Sequence, residues 1–131
     1  MSVVAVVDTG VNINHFDLRS NLWRNPGEIA GNNIDDDGNG VIDDVHGLDV
    51  ITGSRISSVG DPEGHGTHVA GIVATTSKNA EIMGIRILNE NGGGSLSSAI
   101  EAFSYALVNG ATVINNSYGA LGVNPSQVAV S

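Results

Sequence analysis

The chain has no cysteine, which excludes disulfides, thiolate-held zinc and thiol catalysis and leaves its redox compartment unmarked. It is also poor in basic residues: five Lys and Arg stand against 14 Asp and Glu, a formal net charge of −9. Nucleic acid and anionic membrane surfaces repel a chain so charged, so neither is expected as a partner. No apolar run exceeds the length of a strand, which speaks against a membrane-spanning helix. The VVAVV run near the start is too short for a signal-peptide core and lacks a basic segment before it.

What is present points to one compact domain over residues 1–131. Eighteen glycines and 40% hydrophobic residues suit a globular protein rich in tight turns, not a disordered one. The acidic residues are unevenly spread, seven of the 14 falling between Glu28 and Asp49. Such crowding requires either a cation or full solvation.

Val3 to Val7 is a β-branched run suited to a strand buried on both faces of a parallel sheet. Residues 24 to 47 read as loop, and Leu48 to Ile51 as a short second strand. A helix is expected from His65, a strand over Ala80 to Leu88, and a turn over Asn89 to Gly94. Leu96, Ile100, Phe103 and Leu107 follow the spacing of one apolar helical face, with Gly110 placed to end that helix. Ala111 to Asn115 reads as a further strand, and Asn124-Pro125 as the start of another helix. Strands alternating with helices predict an α/β fold.

Two stretches carry chemistry. Asp8-Thr9-Gly10 closes the first strand, where catalytic groups of open α/β sheets gather. His65-Gly66-Thr67-His68-Val69-Ala70-Gly71 opens a helix, and its first imidazole has the intrinsic pKa for proton transfer near neutral pH. Such a histidine needs an anion on its second ring nitrogen, and Asp8 is the natural candidate. His68 lies three residues after His65, but no third ligand of suitable spacing supports zinc, so it is read as structural. His15 and His46 are read as structural or exposed.

These segments, with His15-Phe16-Asp17-Leu18 between them, resemble the subtilisin family of serine endopeptidases (peptidase S8) over nearly the whole chain. The resemblance implies a three-layer, doubly wound, mainly parallel α/β sheet, incomplete at the C-terminus, in which Asp8 orients His65 as general base. It also implies that Gly92, Gly93 and Gly94 pair as an edge with an extended polypeptide substrate, and that Ser117, Tyr118 and Gly119 line the cleft. Tyr118 stands where the family usually has leucine. Secretion is a further implication of the family, and the rest of the catalytic domain is an expected partner.

The acidic loop Asp35-Asp36-Asp37-Gly38-Asn39-Gly40-Val41-Ile42-Asp43-Asp44 matches the front half of an EF-hand, with oxygens at positions 1, 3 and 5 and glycine at 6. Position 12 would be His46 and not the bidentate glutamate, so it is no EF-hand. Calcium is nevertheless expected there, held by Asp35, Asp37, Asn39, the Val41 carbonyl and Asp43 or Asp44, because five aspartates in ten residues repel one another. Some subtilisin-like proteases resemble it here. A solvated acidic turn is the alternative.

No serine of the chain lies in the family's Gly-Thr-Ser-x-Ala setting, and no Ala-Gly-Asn segment offers the oxyanion asparagine. Loss of the nucleophile removes about a million-fold of rate in subtilisin, so the chain alone is expected to be inactive. Two other readings remain: a calcium-binding fragment or pseudoprotease, and an aspartic protease built on Asp8-Thr9-Gly10. The second fits poorly, because that fold is almost all β.

Overall fold

The computed structural model describes residues 2–29, 31–39, 41–51, 61, 64–88 and 94–116. Its strands are β1 (Val3–Asp8), β2 (Gly47–Asp49), β3 (Glu81–Arg86) and β4 (Val113–Asn116); its helices are α1 (His65–Thr76) and α2 (Leu96–Val108). They form one parallel sheet in the order β2-β3-β1-β4. β1 therefore lies inside the sheet, with Val3 opposite Glu81 on one side and Val4 opposite Val113 on the other.

The period of two along β1 splits its side chains between two cores. Ala5 and Val7 join Met83, Ile85, Leu48 and Trp23 beneath Ala99, Ala102, Tyr105 and Ala106 of α2. Val4 and Val6 join Ile82, Val11 and Leu18 beneath Ala70 of α1. The result is three layers, helix–sheet–helix, which explains why VVAVV is apolar without alternation. One close approach fixes an edge: a Cβ on Gly47 would lie 1.8 Å from the Gly84 carbonyl oxygen.

The expected strands and the two helices form: β1 runs to Asp8, while the other three strands are shorter than the sequence suggested, β2 being reduced to three residues; the turn over Asn89 to Gly94 lies, but for Gly94, outside the described residues. Helix α2 begins where Ser95 accepts a hydrogen bond from the Ser98 N–H, and it gives way to Gly110 at φ +90°. The face it buries is not the expected one. Leu96, Ile100 and Leu107 are exposed and Phe103 is half-buried. Ala99, Ala102 and Ala106 instead bring the helix axis close to the sheet, with Tyr105 filling the edge. The Asn124-Pro125 helix lies outside the described residues.

Candidate active site

Asp8 ends β1, and the alternation of the strand turns its side chain to the face covered by α1. Its carboxylate is fully buried. The backbone carbonyl of Asp8 accepts from the Ile87 and Leu88 N–H groups, and Oδ1 accepts from the Thr9 N–H at 2.7 Å. Helix α1 starts above this strand end, so its first residue, His65, meets the carboxylate: Nδ1 lies 2.8 Å from Oδ1 and 3.0 Å from Oδ2. A carboxylate only accepts, so the contact places a ring proton on Nδ1. The side chain of His65 is 48% exposed while that of Asp8 is 0%. A buried anion thus supports an imidazole open to solvent.

Glycine at 66 is a steric requirement, since a Cβ there would lie 2.0 Å from the Gly10 carbonyl oxygen. This close approach lets the first turn of α1 sit directly on the turn that follows Asp8. Beside it, a broad groove of about 1160 Å³ runs between the 15–21 segment and α1, lined among others by His15, His68, Thr67 and Ile72. His15 Nδ1 accepts from the Asp17 N–H. His46 Nδ1 lies 2.8 Å from the Trp23 carbonyl. Neither of these bonds is to the Asp8–His65 pair.

Of the residues expected to bind substrate, Gly94 is exposed ahead of α2; Gly92, Gly93, Ser117, Tyr118 and Gly119 lie outside the described residues.

The acidic loop folds into a cluster whose composition spacing alone did not reveal. Carboxylate oxygens of Glu28, Asp37 and Asp44 lie within 4.8 Å of one another. Asp44 is fully buried, and its Oδ2 accepts from Asn25 Nδ2, Asn39 Nδ2 and the Tyr105 hydroxyl, the last at 2.6 Å. Among the described residues its Oδ1 has no hydrogen-bond partner, and neither does Oδ1 of Asp43. Burial first, then the charges of Asp44 and Asp37, push the Glu28 carboxyl up to about 7, against the backbone bond from Asp36.

The expected ligands also hydrogen-bond within the loop. Asp35 Oδ1 and Asp37 Oδ1 both accept from the Asn39 N–H, Asn39 Oδ1 accepts from the Val41 N–H, and Asp43 Oδ2 accepts from the Asn33 N–H. Glu28, though counted in the acidic stretch, was not expected as a ligand because it precedes the EF-hand-like run. Its only signal was an acid in the Asn-Pro-Gly-Glu turn.

The model of the subtilase family matches residues 2–130. The chain is 34% identical over 129 residues to subtilisin-like protease 1 of Plasmodium vivax, covering 88% of this chain and 20% of that protein. It is 32% identical over 133 residues to the minor extracellular protease Vpr of Bacillus subtilis (strain 168), covering 93% and 14%. The crystal structure of a cold adapted subtilisin-like serine proteinase superposes with a TM-score of 0.58 at 26% identity, over 84% of this chain and 33% of that one. The chain thus spans a fifth or less of these two curated relatives. A match along almost its entire length, on a sheet that delivers an aspartate to the histidine of a GHGTHVAG helix, places the chain in the subtilase family.

Proposed function

We propose that this chain supplies the Asp–His half of the machinery of a serine-type endopeptidase acting on extended polypeptides. The observation that carries this reading is the contact of His65 Nδ1 with both oxygens of a buried Asp8. Asp8 holds the tautomer with the proton on Nδ1, leaving Nε2 as the basic nitrogen. Nε2 takes the proton of a serine hydroxyl as the serine oxygen bonds to the scissile carbonyl carbon. It returns that proton to the amine nitrogen as the C–N bond breaks. Water then repeats the sequence to release the acyl group. Asp8 stays ionised throughout and stabilises the imidazolium.

The serine belongs to a Gly-Thr-Ser-x-Ala segment that these 131 residues do not contain. The family resemblance assigns substrate binding to Gly92 to Gly94 and Ser117 to Gly119, and an extracellular site of action is supported by the name of the Vpr relative, which says so of that protein.

The test is direct. The 131-residue chain is expected neither to hydrolyse a peptide amide nor to be labelled by a serine-directed fluorophosphonate. In protein that includes the nucleophile, Asp8→Asn is expected to lower kcat by about 10⁴-fold. Turnover undiminished by Asp8→Asn sinks the reading.

Calcium fits the acidic cluster. Three carboxylates supply hard oxygens, and the Oδ1 of buried Asp44 is a buried negative atom without a donor among the described residues. Glu28, Asp37 and Asp44 hold the ion; its role is to neutralise the cluster and secure the loop. Calorimetric titration with calcium is expected to show binding that Glu28→Gln weakens at least tenfold. No heat at millimolar calcium refutes the assignment. A calcium-binding fragment without chemistry is the second reading, favoured by the same oxygen, and hydrolysis by the nucleophile-bearing protein excludes it.

A further inference from the structure

The N-terminus of α1 is tied down by a side chain that the acid–base reading does not use. The cap position is Gly64, in the left-handed region at φ +99°, which offers no side chain to the free N–H groups of the first turn. Asp61 and Thr9 provide what it lacks. Asp61 Oδ1 accepts from the Gly64 N–H at 2.8 Å and from the Thr9 hydroxyl at 2.7 Å. Asp61 Oδ2 accepts from the Thr67 N–H at 2.8 Å and from the Thr67 hydroxyl at 2.6 Å.

The two threonines extend the network in one direction only. Each hydroxyl has a single proton, and both protons go to Asp61. The Thr9 oxygen is then free to accept from the Gly66 N–H at 2.9 Å, and the Thr67 oxygen from the Asn12 N–H at 2.9 Å. Asp61 thereby joins the residues on either side of Asp8–His65 in the sequence: Thr9 follows Asp8, while Gly64 and Gly66 flank His65. Burial by itself would raise the Asp61 carboxyl, yet the bonds from Thr67, Gly64 and Thr9 hold it below its ordinary value. It therefore remains the acceptor-only group that four donors require.

We propose that Asp61 is a positioning residue: through Thr9 and Thr67 it locks the first turn of α1 onto the end of β1 and so holds the His65 ring against Asp8. The proposal rests on the Asp8–His65 pair as the acid–base unit. Misplacement by about 1 Å can cost on the order of 100-fold in rate, so a lock of this kind is of catalytic consequence even though Asp61 touches no reacting atom.

Proton NMR of the hydrogen-bonded Nδ1–H of His65 tests it. The intact protein is expected to show this proton at low field and protected from water. Asp61→Asn sets an amide NH2 against the Thr67 N–H, and Thr9→Val removes the bridge to Gly66. Both are expected to speed exchange of the Nδ1 proton at least tenfold while the backbone amide spectrum stays native. Thr9→Ser, which keeps the hydroxyl, is expected to restore slow exchange. An unaltered Nδ1 signal in folded Asp61→Asn reduces Asp61 to a helix cap. If Asp61→Asn does not fold, Thr9→Val decides by the same criterion. Absence of the signal in the unsubstituted protein breaks the Asp8–His65 bond itself, and the positioning role falls with it.

Discussion

At the scale of single residues, two kinds of constraint meet, charge and contact. Glu28 illustrates the first. Its carboxyl titrates at about 7 in the fold against 4.5 when unperturbed, so the cation-free folded state holds a proton between those values that the unfolded state has released. The contribution to stability is complete below about 4.5 and is lost as pH rises through 7. The urea midpoint of chelator-treated protein is therefore expected to fall between about pH 5 and about pH 8, and calcium is expected to abolish the fall by holding Glu28 ionised. A cation-free midpoint that rises over this interval contradicts the assignment. Gly66 illustrates contact: Gly66→Ala drives a methyl group into the Gly10 carbonyl. Its expected cost is at or above the upper end of roughly 1–3 kcal/mol, read from urea unfolding. Asp8 and His65 were legible in the sequence because each sits in a short motif whose chemistry is local. Glu28 and Asp61 were not, because what recruits them is proximity across loops and no periodicity records it.

At the scale of elements, the strands were legible for the same reason that they are buried: β-branched runs flanked by turn residues have few other uses. Helix α2 was legible as a helix and misread as a surface. The spacing of Leu96, Ile100, Phe103 and Leu107 satisfies an amphipathic template, but contact with a sheet favours the side that permits close approach, which is the alanine side. The expected consequence is an inversion of the usual ranking. Ala102→Leu overpacks the interface and is expected to cost about 1–3 kcal/mol, whereas Leu107→Lys is expected to stay within about 0.5 kcal/mol. Equal costs in urea unfolding would contradict the observed packing. The same helix reaches the acidic loop through Tyr105. Burial first, and then its bond to Asp44, push the tyrosine hydroxyl above its ordinary range, so it stays a donor. Tyr105→Phe removes one of three donors to Asp44 Oδ2 and is expected to cost about 1–2 kcal/mol of stability.

At the scale of the whole molecule, the strand order sets when the site can exist. β1 is made first, yet its two neighbours begin at Glu81 and Val113. β1 is therefore flanked on both sides only after nearly the whole described chain has left the ribosome, which adds about 5–20 residues per second. Until β3 is made VVAVVD is an apolar strand with two open edges, and until β4 is made it keeps one, the kind of edge that pairs with other chains when left unguarded. Pairings so distant in sequence are also slow to form. The central position that buries Asp8 in the finished fold thus leaves one edge of β1 open until synthesis has passed β4.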